Sequence, residues 1–569
     1  MNAAAPRASR AWLAALEVST RATRDPLRIL PRAVDEWAAR FGDKPALLSD
    51  RETLTFAQLS RLSQTIGRWA LSRDLRKGDA VALQMRNRPA YFALWLGLTR
   101  VGVIAALLSP DLAPSALAHA LGVSRARLLV VDGDAPAPPD FEILAFDALL
   151  AQAEALGEAP LPPFDVTLDD KALRIFTSGT TGLPKAAEVS HRRLVTWSHW
   201  FAGLAGLKAD DRLYNCLPMH HSVGGVVAVG APLVNGGSVV IAEKFSASRF
   251  FDDVARFDCT AFQYIGELCR YLVAAPGSEA EKRSKLRLAI GNGIAPDVWR
   301  AMLDRLGPIR VVEFYASTEG NVWLYNVEGE IGALGRLPPL LAAREPLALV
   351  KFDADAQAPS RGLDGFCQRC GDDEPGEALG RIGDDPGQRF DGYSQQDETE
   401  KKILRDVFQP GDAWMRTGDL MRRDAAGFYY FVDRVGDTFR WKGENVATME
   451  VTNACLAQAG VEDALVYGVA VPGAEGRAGM ALVKTREGFD VQAFARGVAS
   501  LPRYARPLFL RVTSQIATTE THKPKRAVYV AEGFDPSRVS DPLYVLEGEA
   551  YVTLDAERYS AIVGGAARL

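Results

Sequence analysis

The sequence predicts an α/β protein of layered architecture followed by a smaller α+β domain, and three observations carry that reading. Short apolar runs bounded by Gly, Pro or Asp recur through the first 350 residues, with helix-period stretches between several of them. This alternation is what parallel sheets covered by helices produce. The 569 residues exceed what one hydrophobic core organises, and the stretch after residue 433 carries strand signals of its own.

Buried strands are expected at Val81 to Met85, Leu128 to Asp132, Ala172 to Phe176, Ser238 to Ala242, Leu286 to Ile290 and Ile309 to Phe314. Helices are expected over Phe56 to Leu71 and Phe245 to Arg256. The most apolar stretch, Tyr91 to Leu108, is interrupted by Arg100 and reads as a buried helix followed by a strand. Arg361 to Pro386, dense in Gly, Asp and Pro, reads as loops and β-hairpins at the edge of the large domain. After a strand at Phe428 to Val432, Gly436 among charged residues has the character of a pivot. The expected domains are therefore 1–433 and 434–569, the latter with strands at Ala464 to Val469, Met480 to Val483 and Leu508 to Val512.

The first 32 residues mix alanine with Arg7, Arg10, Arg21, Arg24, Arg28 and Arg32. An exposed N-terminal helix is expected there, with an anionic membrane surface or a transit peptide as alternatives; there is no apolar signal-peptide core. Lys and Arg number 66 against 71 Asp and Glu, a net charge of -5, so no basic field for nucleic acid exists. Six scattered cysteines suit a reducing compartment, hence a cytoplasmic placement, with peripheral contact on the inner face of a membrane left open. Cys367 and Cys370 form a CxxC with no second pair and no nearby His, so neither a metal nor a redox site is expected there.

The chemistry concentrates after the strand Ala172 to Phe176, in Thr177-Ser178-Gly179-Thr180-Thr181-Gly182-Leu183-Pro184-Lys185. Gly179 and Gly182 let backbone N–H groups turn onto an anion, four hydroxyls add donors, and Lys185 supplies a point charge. It is not a Walker loop, because Pro184 and Ala186 stand where that motif needs glycine and a Mg-binding hydroxyl. The nonapeptide resembles the signature loop of the adenylate-forming superfamily, which includes acyl-CoA synthetases, luciferase and peptide-synthetase adenylation domains. Further blocks follow in the family's order: Tyr214 to Ser222, Tyr315-Ala316-Ser317-Thr318-Glu319, and Thr417-Gly418-Asp419-Leu420. Glu313 to Asn321, Tyr264 to Leu272 and, above all, Asp433 to Glu450 are similar to the fatty acid transport protein and very-long-chain acyl-CoA synthetase branch. The resemblance runs from about residue 35 to about residue 560.

It implies a large multi-sheet N-terminal domain that binds ATP and the acyl group, and a small mobile C-terminal domain carrying the catalytic lysine. A carboxylate attacking the α-phosphate of ATP is anion meeting anion, so charge must be neutralised and the groups aligned. By resemblance Lys523 bridges the two, with Lys525 a rival; the match rests on its spacing to Glu532-Gly533-Phe534. Thr318 donates to the α-phosphate, and Glu319 holds Mg²⁺, a hard cation suited to carboxylate oxygen. His221 lies near the acyl carboxylate. Tyr315 walls the adenine, while Gly291, Asn292 and Gly293 admit backbone to the base and carboxyl. Asp419 accepts from the ribose hydroxyls, and Arg434 contacts ribose or phosphate. Rotation about Gly436 would bring Trp441 to Asn445, with Lys442 and Gly443, to the coenzyme A thiol tunnel; Trp441 reads equally as a core aromatic.

The implied reaction is fatty acid:CoA ligation through an acyl-adenylate, for a long- or very-long-chain acid, with ATP, Mg²⁺ and coenzyme A. The alternatives are a membrane-associated uptake protein that works by trapping, and a ligase for another carboxylic acid such as a bile acid, an aromatic acid or carnitine. An adenylation domain that loads a carrier protein would call for a downstream carrier module, and none follows. Homodimerisation and chain length stay open.

Overall fold

In the computed structural model the described residues are 8–133, 141–178, 184–344, 346–353, 356–385, 387–442, 444–474, 476–518 and 524–565. The chain opens with helices α1 (Ala8–Ala22) and α2 (Leu30–Phe41), then strands β1 (Pro45–Leu48) and β2 (Thr53–Thr55). Helix α3 (Phe56–Ser72) starts on a capping box, in which Thr55 accepts from the Gln58 N–H and the Gln58 side chain accepts from the Thr55 N–H. There follow β3 (Ala80–Gln84), α4 (Pro89–Arg100), β4 (Ile104–Leu108), α5 (Pro114–Ser124), β5 (Ala126–Val131), β6 (Ile143–Ala145), α6 (Phe146–Ala155), β7 (Lys171–Ser178), β8 (Pro184–Ser190) and α7 (His191–Ala205).

Strands β3 to β8 form one sheet in the order β6-β5-β3-β4-β7-β8, parallel except for the β7–β8 hairpin. Every residue of β3 and β4 is buried, as expected of strands that are apolar but for Gln84 and covered on both faces. Helix α4 is buried on all sides, and Arg100 is tolerated within it because Asp35 pairs with its guanidinium at 2.6 Å.

A second sheet is built around β9 (Arg212–Asn215), β10 (Ser238–Ile241), β11 (Ala261–Ile265), β12 (Leu288–Asn292) and β13 (Arg310–Ala316), with β14 (Trp323–Asn326) and β15 (Gly335–Arg336) added antiparallel. Its order runs β15-β14-β13-β12-β11-β9-β10-β1-β2, and the six strands from β13 to β1 are parallel. A π-helical turn, Val223–Val227, leads into α8 (Ala228–Leu233). The helix expected from Phe245 begins only at Phe250, because residues 247–249 form a turn closed by Arg249 N–H on Ser246 O.

The N-terminal helix departs from the sequence reading. Rather than lying exposed, α1 buries Ala11, Trp12, Ala15, Ser19 and Ala22 and packs against α7. Gly203 makes this possible, since a Cβ there would sit 2.7 Å from Ala15 Cα. Trp12 joins Trp200, Trp323 and Tyr325 in an aromatic cluster with centroids 5.5 to 5.9 Å from its own. An alanine-rich face reads as featureless in sequence, yet small residues are what a close helix–helix approach requires.

By compactness the chain divides into Met1–Pro346 with Gly380–Leu404, and Leu347–Leu379 with Arg405–Leu569. This differs from a break after residue 433. Strands Ala413–Arg423 and Phe428–Arg434 form a hairpin, and Asp433 at its end accepts both the N–H (2.5 Å) and the hydroxyl (3.1 Å) of Thr448, so hairpin and C-terminal residues belong together. Gly436, at φ +89°, lies within this second unit. Residues from Phe439 to Ile562 make their own hydrophobic core around a five-stranded sheet running from Val461–Ala470 to Ala550–Thr553. Among the described residues no helix is long and apolar enough to cross a membrane.

Candidate active site

In α/β sheets ligands bind beyond the carboxyl ends of parallel strands, and there the first unit gathers its candidate residues. Tyr264, Gly291 and Glu313 lie in register across β11, β12 and β13. Gly293 has φ +79°, a conformation that favours glycine. A Cβ on Gly266 would lie 1.7 Å from Gly293 O, and one on Gly291 2.3 Å from Tyr264 O, so this turn is packed backbone to backbone. Asn292 Oδ1 is buried without a protein partner, which leaves an acceptor for a ligand.

Glu313 organises this loop, a role the sequence reading did not give it. Its carboxyl is 3 % exposed, receives the Tyr264 hydroxyl at 2.5 Å, and accepts the N–H groups of Gly293 and, at 3.4 Å, Ile294. Burial pushes its pKa up to about 8 against these hydrogen bonds, so the side chain is mostly protonated near neutrality. The sequence signal was an acidic residue inside the otherwise apolar run Val311 to Phe314.

Thr318 and Glu319 follow β13. Ser222 and Thr318 hydroxyls are 3.0 Å apart, which ties the block containing His221 to the Thr-Glu pair. His221 is half-buried, its ring centroid 4.3 Å from that of His220, and burial depresses the His220 pKa so that this neighbour is neutral. Arg193 on α7 donates to Gly320 O at 2.8 Å and to Glu319 O at 3.4 Å, fixing the loop from beneath. Tyr315 is half-buried, paired with Leu324 of β14.

The phosphate-loop stems are the ends of β7 and β8, where Thr177 stands opposite Lys185 and Ser178 opposite Pro184. Gly179, Thr180, Thr181 and Gly182 lie outside the described residues. Lys185 pairs with Glu398, and hydrogen bonds from Lys185 and then Lys401 hold that carboxylate below its usual range. Tyr393 hydrogen-bonds Glu319 and Thr177; burial, then the charge of Glu319, raises its phenol pKa, which keeps it a neutral donor. Tyr393 and Glu398 carried no signal in a polar stretch. They reach the site because Tyr393 bridges to Ala187 of β8.

The remaining candidates belong to the second unit. Asp419 is 8 % exposed and lies 3.4 Å from the half-exposed guanidinium of Arg434, while Thr417 Oγ1 receives the Asp419 N–H at 3.1 Å. Lys442 has φ +52° and places its ammonium 5.7 Å from the Trp441 ring. Trp441 is buried in the C-terminal core, which favours its reading as a core aromatic in this conformation. Lys525 is exposed, its N–H bonded to Ala517 O at 2.8 Å. Gly443 and Lys523 lie outside the described residues.

A cavity of about 380 Å³ lies within the first unit, a size typical of small-molecule sites. Ser222, Ser317 and Gly320 bring it to the Thr318–Glu319 loop, and Trp197, Phe314 and Trp323 supply apolar wall. Among the described residues no cluster of three or more His, Cys, Asp or Glu side chains forms a metal cage. Mg²⁺ takes one or two carboxylates together with substrate phosphates, and the half-buried carboxylate of Glu319 is of the donor type such an ion would take.

These features describe a layered α/β protein whose strand-end loops gather the candidate residues, with a cavity of mixed aromatic and charged lining beside them. The family model described as AMP-binding enzyme matches residues 34–344. The mouse Long-chain fatty acid transport protein 1 is 40% identical over 542 residues, 90% of this chain and 83% of the relative. The rat Long-chain fatty acid transport protein 2 is 38% identical over 96% of this chain and 93% of its own. ATP-bound MatB from Rhodopseudomonas palustris shares the fold with a TM-score of 0.74 at 22% identity, over 88% of this chain and 98% of that one. An anthranilate CoA ligase complexed with anthranoyl-AMP does so with 0.74 at 20%, over 87% and 96%. The chain belongs to the AMP-binding enzyme family, in the branch of the long-chain fatty acid transport proteins.

Proposed function

We propose that this protein is an AMP-forming ligase that joins a long-chain fatty acid to coenzyme A. The acid's carboxylate oxygen attacks the α-phosphorus of ATP and pyrophosphate leaves; the coenzyme A sulfur then attacks the adenylate carbonyl, AMP leaves, and the thiol proton passes to solvent. The observation that carries the acyl class is the cavity, which starts beside Ser222 and Ser317 and continues between aromatic side chains. The names of the relatives support it.

The candidate residues divide the work in this reading. Lys185 and the stems at Thr177 and Ser178 receive phosphate, and the Gly291–Gly293 turn, kept in place by Glu313, receives the adenine edge. Thr318 donates to the reacting phosphate. Glu319 would hold Mg²⁺, which supplies charge neutralisation on the phosphates. Asp419 and Arg434 would take the ribose, and Lys523 the carboxylate and α-phosphate together. The proposed placement is cytoplasmic with peripheral membrane contact, so that trapping of the acid as a thioester draws it inward.

The test is incubation of purified protein with Mg-ATP, coenzyme A and acids from acetate to a C24 chain, following AMP and thioester by mass spectrometry. Thioester from long-chain acids, abolished in Lys523→Ala and retained in Lys525→Ala, is the expected result. Turnover confined to aromatic or short acids would overturn the substrate class, and loss in Lys525→Ala alone would exchange the lysines.

A further inference from the structure

Resting on the fatty-acid reading of the cavity, we propose that the N-terminal helix α1 is a wall of the acyl site and sets which chain lengths fit. Three residues of α1, Leu16, Ser19 and Thr20, line the cavity together with Thr23 just past its end. They fall on one stripe at helical spacing, opposite Trp197 and Trp200 of α7 on the same cavity.

The chemistry of that stripe is more apolar than its sequence. Ser19 Oγ donates to Ala15 O at 2.7 Å and Thr23 Oγ1 to Ser19 O at 3.0 Å, so both hydroxyls are spent on the helix's own carbonyls. With those protons committed they offer a ligand carbon and hydroxyl lone pairs, with no donor, beside the leucine.

The position of the wall is fixed from behind. Trp12 is wedged against Trp200, Trp323 and Tyr325, and the last three also line the cavity. Gly203 lets the α1 backbone close on α7 to a distance that no side chain at that position would allow. Helix α1 is therefore docked by aromatic packing, while Leu16, partly buried at the edge of the hydrophobic core, and Thr20 line the cavity. A side chain added at either position takes volume from the cavity without touching the strand-end residues where nucleotide and carboxyl meet. An element that reads in sequence as a solvent-facing, arginine-bearing helix thus becomes a specificity element for the acid.

The experiment measures kcat/KM for a C8 and a C16 acid with wild-type protein and with Leu16→Trp, Thr20→Trp and Leu16→Ala. Thr20 is exposed, so its variant tests the idea even where Leu16→Trp fails to fold. Leu13→Trp, on the solvent face of the same helix with Leu13 at 62% exposure, is the control for placing an indole on α1. The expected result is a C16-to-C8 ratio lowered about tenfold or more in both tryptophan variants, as pocket contacts of a methylene or two produce, raised in Leu16→Ala, and unmoved in Leu13→Trp. An active wild type whose ratio is the same in every folded variant would overturn the α1 wall while leaving the ligase intact. A wild type inactive on both acids would overturn the fatty-acid reading and this proposal with it.

Discussion

Glu313 stands within β13 and Glu319 in the loop that follows it, and their surroundings give them opposite work. The region around Glu313 is closed: a tyrosine hydroxyl and two backbone amides meet a carboxyl that burial has pushed up to about 8. The region around Glu319 is open: the residue is half-buried, its carbonyl is held by Arg193, and Tyr393 is its side-chain neighbour. A carboxyl that keeps its proton is a hydrogen-bonding strut; one that is not enclosed by backbone amides is placed to meet a cation. The difference teaches that burial, rather than membership of a sequence block, separates the part that shapes the site from the part that acts in it.

The largest effect should come from removing the charge of the open carboxylate. Glu319→Gln is expected to slow ATP–pyrophosphate exchange by about 100-fold or more, the scale seen when one preorganised electrostatic partner is lost, with thermal unfolding nearly unchanged. If Glu319→Gln exchanged at the wild-type rate, the division of labour between the two residues would collapse.

Glu313→Gln should show the reverse pattern, a modest change in exchange and an altered dependence of stability on pH. The folded pKa is raised to about 8 from an ordinary 4.5. Between those values the native state holds a proton that the unfolded chain has lost, so stability falls as pH rises. The contribution is complete below about 4.5 and gone above about 8. Melting temperature measured from pH 6 to pH 9 should therefore decline more steeply in the wild type than in Glu313→Gln. Parallel curves would mean that Glu313 is ionised in the folded protein.

The same contrast marks what was legible in the sequence. Strands such as β3, β4 and β13 were readable within a few residues because an apolar run between turn residues has few other fates. The phosphate-loop stems stood out because hydroxyls, glycines and a lysine cluster locally, whereas Thr318 and Glu319 were marked only by their resemblance to a family block. Glu313 was visible only as an anomaly: its meaning depends on Tyr264 and Gly293, which sheet register brings beside it. Helix α1 was misjudged because alanines look indifferent until Gly203 on another helix is set against them. Tyr393 and Glu398 sit in a polar segment with no periodicity, and only the long-range bridge from Tyr393 to Ala187 brings that segment to β8.

Tyr393 gives the smallest and most discriminating prediction. Its hydroxyl touches Glu319 on one side and Thr177 at the phosphate-loop stem on the other, so it links the open carboxylate to the loop that receives phosphate. Tyr393→Phe keeps the ring, which is buried, and removes only those hydrogen bonds. A hydrogen bond of this kind is worth about 1 kcal/mol net, so kcat/KM for ATP in the exchange reaction should fall about fivefold, with Glu319→Gln remaining far worse. A loss as large as that of Glu319→Gln would mean that Glu319 depends on Tyr393 for its position and that the open region is as preorganised as the closed one. No loss would mean that Arg193, acting through the loop carbonyls, holds Glu319 by itself.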